Sequence, residues 1–251
     1  MKKEKIIIGN KFWGIIIIVT GLNITGCSSG GSSDPTPEPD PNAATYKFFP
    51  DGFLVNGYRE EFDFNGTRVN ADTNAQLDVF TFDQLIVTQP EGVFNLESVI
   101  PVFETRDIVF ANGSSSTQAT ETFYFSINQD DRRYNGKIVT IFGVTTTITS
   151  VTTSPIPETV QIGDSGIFGT YLDNFGSRYI ISWDISDAAN DNATMTWTTN
   201  IENAASSIQL SESEDSFIID VNGNRVSKEI YFESFNLSPN VIDQWTGVKI
   251  F

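Results

Sequence analysis

From Tyr46 onward, apolar and polar positions alternate with a period of two. Phe62 and Phe64 stand between Glu61, Asp63 and Asn65, Phe80 and Phe82 between Val79, Thr81 and Asp83, and Phe123, Phe125 and Ile127 alternate with Tyr124 and Ser126. Successive side chains of a strand point to opposite faces, so each run predicts a half-buried strand. Further strands are predicted over Leu85 to Thr88, Ser98 to Glu104, Asp107 to Ala111, Lys137 to Thr147, Gly166 to Leu172, Ser177 to Ser186 and Ala193 to Asn200. The remainder are Ser207 to Ser211, Ser216 to Val221, Lys228 to Phe235 and Gln244 to Phe251. Asn65-Gly66, Asn112-Gly113, Asn135-Gly136 and Asn222-Gly223 carry turn signals. No window of a dozen residues shows a helical stripe, and β-branched and aromatic residues fill the strands. The pattern predicts an all-β protein, an antiparallel β-sandwich or meander.

Two hairpins are legible at residue level. A loop from Asp187 to Asn192 centred on Asn190 places Trp183 opposite Trp197 and Ile185 opposite Met195, with Tyr179 and Ile181 on the same face. Paired indoles on one face suit a sugar-stacking platform. They equally suit a cross-strand core pair, and the isoleucine and methionine neighbours favour the core. In the second hairpin, Asn222 and Gly223 as turn residues place Asp220 opposite Arg225, an exposed ion pair of small energetic weight.

A body of about 205 residues fits one large sandwich or two domains of about 100. The Thr/Ser-rich stretch from Thr145 to Thr159 contains Pro155-Ile-Pro157, which places a junction there. Two tandem β domains, 46–154 and 155–251, follow from that junction.

Residues 1–26 have a different pattern. Lys2, Lys3, Lys5 and Lys11 form a basic start, followed by an apolar stretch from Phe12 to Leu22 that is short for a bilayer span. The stretch ends in Leu22-Asn23-Ile24-Thr25-Gly26-Cys27, with an aliphatic residue at Ile24 and small ones at Thr25 and Gly26 before the chain's single cysteine. It resembles a bacterial prolipoprotein signal over these 27 residues, with Ile and Thr where Leu and Ala or Ser are commonest. The resemblance implies that the Cys27 thiol receives diacylglycerol, that signal peptidase II cuts before Cys27, and that the new amino group is acylated. Two or three acyl chains hold a protein durably, each buried methylene contributing ~0.8 kcal/mol. A membrane-anchored, extracytoplasmic lipoprotein of the bacterial outer membrane is the location so implied.

Residues 27–45 read as a tether. Ser-Ser-Gly-Gly-Ser-Ser is flexible, and proline at every second position from Pro35 to Pro41 favours an extended chain. Removing the targeting segment, with its four lysines and one glutamate, takes the net charge from −17 to −20. Such a field opposes nucleic acid, which is excluded as a partner. Its plainest use is solubility outside the cytoplasm.

The 251-residue chain contains no histidine and one cysteine, so Ser-His-Asp and Cys-His mechanisms, imidazole metal sites and an intramolecular disulfide are all excluded. No catalytic residue, metal site or cofactor is expected. Asp220, Asn222 and Asn224 mimic the start of a calcium loop, but Arg225 and Tyr231 stand where glycine and glutamate are needed. Asn128 to Asp131 and Asp187 to Asn192 read as turns before calcium loops. Phenylalanine, with 20 residues against 7 Tyr and 4 Trp, points to a core or an apolar cavity more than to a glycan platform. The terminal Phe251 resembles the end of outer-membrane barrels, yet Gly247 lies too near it and aromatic girdles are missing, so a membrane barrel is not expected.

Three functions remain. The first is a lipid-anchored, non-catalytic module that binds a ligand, a glycan or an envelope protein, or is structural. The second, a carboxylate-dependent surface hydrolase of glycans, requires a cleft with two acids, one with a raised pKa. The third, carriage of an apolar ligand, requires an internal void of several hundred Å³.

Overall fold

The fold is described from a computed structural model over residues 44–111, 116–235 and 240–251. Its strands are β1 (Thr45–Lys47), β2 (Arg59–Asn70), β3 (Gln76–Thr88), β4 (Gly92–Phe94), β5 (Glu97–Phe110), β6 (Ser116–Ser126), β7 (Tyr134–Ile141) and β8 (Val144–Thr153). They continue with β9 (Thr159–Gln161), β10 (Ser165–Asp173), β11 (Ser177–Asp187), β12 (Ala193–Asn203), β13 (Gln209–Ile219), β14 (Arg225–Ser234) and β15 (Val241–Lys249). The all-β class and the meander order hold. Setting aside β1, β4 and β9, each strand pairs antiparallel with the next, and β15 returns to pair with β2. The result is a closed barrel of twelve strands rather than two stacked sheets.

The junction placed at 154/155 separates no domains. β8 pairs directly with β10 across it, from Gly169 opposite Thr153 to Asp173 opposite Ile148, so one sheet passes through both halves. Proline is there because the segment leaves the sheet, crosses one end of the barrel and returns. Several strands expected in two pieces are continuous: β3 runs through Gln84, β5 through Arg106, and β13 through Ser213 and Asp215. These polar residues occupy inward positions, which interrupts the apolar alternation without interrupting the strand.

Asn65-Gly66 and Asn135-Gly136 lie inside strands instead of forming turns. Gly66 is bare because Trp245 of β15 lies across it, and a Cβ there would fall 2.0 Å from the indole Cδ1. Gly136, at φ +129°, sits at a bulge against β6, and a Cβ would meet the Ile148 carbonyl oxygen at 2.1 Å. Asn222-Gly223 is a turn, and Asn112-Gly113 lies outside the described residues.

The polarity of the barrel is the reverse of a membrane barrel. On β2, Phe62 and Phe64 are buried inside while Asp63 and Asn65 are exposed outside. Outward Thr194, Thr196, Thr198 and Asn200 alternate with inward Met195 and Trp197 on β12. An outer-membrane barrel requires apolar side chains on that outer face.

Twelve strands enclose more space than inward side chains fill, since about eight are the limit for a filled interior. Part of the difference is taken up by residues 45–58, which fold into one end as a plug. Lys47 N donates to the Val221 carbonyl at 3.2 Å and Phe48 N to the Glu158 carbonyl at 3.0 Å, while β1 pairs with β9. Phe48 packs edge-on to Phe168 and Trp183, and Phe49 stacks on Phe53 at 4.8 Å. The Thr88 hydroxyl donates to the Phe53 carbonyl and holds the plug to β3.

Candidate functional site

The remaining space is unevenly distributed. On β2, β3, β14 and β15 the inward side chains include Phe62, Phe64, Phe80, Phe82, Phe232 and Trp245, which pack ring to ring, as in the 4.4 Å stack of Phe64 on Phe82. On β7, β8, β11 and β12 they are mostly Val139, Ile141, Thr146, Ile148, Ile181, Thr199 and Ile201, which are shorter. Short side chains on one wall leave a cavity of about 750 Å³, floored by aromatic residues that include Phe53 of the plug. At the opposite end, the β7–β8 hairpin lines the cavity with Phe142 and Val144 while exposing both, Phe142 at 58 %.

A row of charged residues crosses the lumen beside this cavity. Arg106 on β5 pairs with Glu104 at 2.5 Å and with Glu121 on β6 at 3.7 Å, and Lys137 on β7 reaches Glu121 at 2.6 Å. On β13 and β14, Asp215 pairs with Lys228 at 2.8 Å. Burial alone would raise the Glu121 carboxyl, but Lys137 and Arg106 outweigh it and hold the group well below the usual carboxylate range. Arg106 is burdened by burial yet held protonated by Glu104, Glu121 and Asp215. Lys137 lies over Phe123 at 5.2 Å and Lys228 over Phe217 at 5.0 Å, so the ammonium groups also face ring faces.

A second ionic centre ties the plug end together and corrects the Asp220–Arg225 pairing. A register shift at Ile218/Ile219 puts Arg225 opposite Ile219. Asp220 then holds the turn, its carboxylate accepting from Asn222 N at 2.8 Å, Asn224 N at 2.9 Å and Asn224 Nδ2 at 2.9 Å. Arg225 points inward instead, where it is 5 % exposed, bonded to Glu60 at 3.1 Å and laid over Phe53 at 4.6 Å and Phe217 at 4.3 Å. Lys249 reaches the other oxygen of Glu60 at 3.0 Å. Burial opposes ionisation of Glu60, and Arg225 and Lys249 prevail, lowering its pKa. Arg68 and Asp243 form a third buried pair at 2.5 Å; burial there raises the Asp243 carboxyl despite the guanidinium.

The indole pair lies inside the barrel at the register of its hairpin, with Trp183 opposite Trp197 and Ile185 opposite Met195. Trp183 is buried, and Trp197 forms part of the cavity floor among Phe48, Phe49, Phe168 and Phe217. Neither presents a face on the outer surface. Cys27 and the lipobox residues Ile24, Thr25 and Gly26 lie outside the described residues. Asn128 Oδ1 caps its own turn by accepting from Asp130 N at 3.2 Å. The ionic row was absent from the sequence-based expectations. Its signal was available as charged residues at inward positions of otherwise apolar-alternating strands, namely Glu104, Glu121, Asp215 and Lys228.

No family model matches the chain, and no curated protein is similar to it. Among solved structures, it aligns with a "putative lipoprotein" from Parabacteroides distasonis ATCC 8503 at 12 % identity, over 81 % of this chain and 97 % of that one, with a TM-score of 0.28. At that score the likeness bears on neither fold nor function.

Proposed function

We propose that this chain is a lipid-anchored, non-catalytic binding protein of the bacterial cell envelope that takes an apolar ligand into its barrel. The observation that carries the reading is the cavity, whose volume of about 750 Å³ lies within the ~300 to 1,000 Å³ of ordinary ligand pockets. Its walls are largely apolar, and the seven charged residues among them are all engaged in ion pairs. The signal-like start and Cys27 support anchorage, and the outer membrane is the destination in this reading. A glycan hydrolase is disfavoured because it needs one protonated carboxyl as its acid. In the cavity, Glu121 is instead held ionised by Lys137 and Arg106, and the neighbouring acids that burial raises, Asp184 and Glu214, stand on the outward positions of β11 and β13 and not in the cavity.

The purified protein should bind the uncharged fluorophore N-phenyl-1-naphthylamine saturably, with a rise in emission as it enters a water-poor space. Val139→Trp, which places an indole in the cavity, should reduce that signal at least tenfold while leaving a β-type circular dichroism spectrum. Absence of saturable binding in the unaltered protein would count against ligand carriage. For the anchor, Cys27→Ser should abolish labelling by a palmitate analogue and leave the longer precursor. Continued labelling of that serine variant would remove the lipoprotein assignment.

A further inference from the structure

The charges of the row beside the cavity cancel. Arg106, Lys137 and Lys228 stand against Glu104, Glu121 and Asp215, with contacts of 2.5 to 3.7 Å. Arg225, the remaining cation of the lining, shares Glu60 with Lys249, so one positive charge is in surplus at the plug end, where Phe53 and Phe217 cover the guanidinium at 4.6 and 4.3 Å. Within the row itself no positive charge is left over to receive an anionic head group. A carboxylate entering this low-dielectric space would bring a fourth negative charge to three acids already present, and an uncompensated buried charge is strongly disfavoured.

An uncharged oxygen has a place to bind. The Lys137 side chain keeps 22 % of its surface exposed, and of its three N–H donors the Glu121 contact occupies one. Asp215 also keeps 22 % exposure on the far side of the row and can accept from a hydroxyl. From Lys137, the inward positions Val139 and Ile141 lead to Phe142 at the open hairpin, a path of ~17 Å at strand spacing. A chain lying along it would be covered by Ile148, Ile181 and Ile201.

We infer that the cavity is built for an uncharged single-chain lipid bearing a hydroxyl or ester oxygen, its polar end at Lys137 and Asp215 and its chain toward Phe142, and not for a free fatty acid. This rests on the reading of the cavity as an apolar-ligand site.

Displacement of N-phenyl-1-naphthylamine at pH 7.5 by 1-dodecanol, monolauroylglycerol and laurate separates the two levels. The neutral compounds should displace the probe at concentrations at least tenfold below laurate. Glu121→Gln and Asp215→Asn each remove one negative charge and leave one cation unmatched. In either variant laurate should therefore gain at least tenfold relative to dodecanol. Laurate equal to or better than dodecanol on the unaltered protein, or an unchanged ratio in both variants, would overturn the charge-balance inference and leave ligand carriage standing. A protein that binds the probe but releases it to none of the three compounds would overturn the inference as well. Failure of the probe itself to bind would overturn both.

Discussion

Trp183→Ala is expected to destabilise the barrel by ~3 to 5 kcal/mol, the cost of deleting a large aromatic from a core that relaxes only in part. The indole is 9 % exposed, sits edge-on to Phe48 of the plug at 5.2 Å, and lies over Gly166 of β10, where a Cβ would meet its ring at 2.7 Å. Its loss therefore opens a void at the junction of three elements: the strand pair, the bare glycine beside it and the plug. Urea unfolding should show a lower midpoint with little change in slope. Trp197→Ala should cost less, because the residue already borders the cavity and its removal enlarges a space instead of creating one. An unchanged midpoint for Trp183→Ala, together with lost affinity for a polysaccharide, would restore the stacking-platform alternative.

Glu60→Gln should be comparably damaging, at ~3 to 5 kcal/mol, because it leaves Arg225 and Lys249 without their shared counter-charge. Glu60 is fully buried and Arg225 nearly so, and Phe53 and Phe217 lie over the guanidinium. The same residue sets a pH dependence. Its folded pKa lies below the ordinary 4.5, so the unfolded chain binds its proton first as acid is added. Its stabilisation is complete above about pH 4.5 and is lost as the pH falls through the folded value; Glu121 acts in the same direction. Asp243 acts oppositely, because its raised pKa makes its ionised form a cost at neutral pH that protonation relieves. Glu202 is lowered as well, and Asp184, Glu214 and Glu233 are raised like Asp243, so the role of Glu60 is read from the difference between the unaltered protein and its variant. Glu60→Gln should therefore flatten the fall in melting temperature between pH 5 and pH 3, and a variant retaining the full acid slope would refute this role.

Strand alternation survives tertiary context because one face of almost every strand is covered and the other is wet. That is why β11 and β12 were legible residue by residue, including the Trp183–Trp197 register. The failures have the opposite cause. Gln84, Arg106, Ser213 and Asp215 are polar but point inward, so β3, β5 and β13 looked broken. Asn65-Gly66 carries the composition of a turn, and only the indole of Trp245, arriving from the far end of the chain, explains the glycine.

Period-two patterning and the absence of a helical stripe were enough to determine an all-β chain of antiparallel neighbours, because both are properties of residues close in sequence. Closure of the sheet is not such a property. It depends on β15 finding β2, with Val241 opposite Asn70 and Lys249 opposite Phe62, which no local pattern encodes. The barrel, its plug, the cavity left where aliphatic side chains replace rings, and the charge row across it all follow from that closure. Only the tertiary structure could decide them, since each is made by side chains from strands distant in the chain that share one lumen.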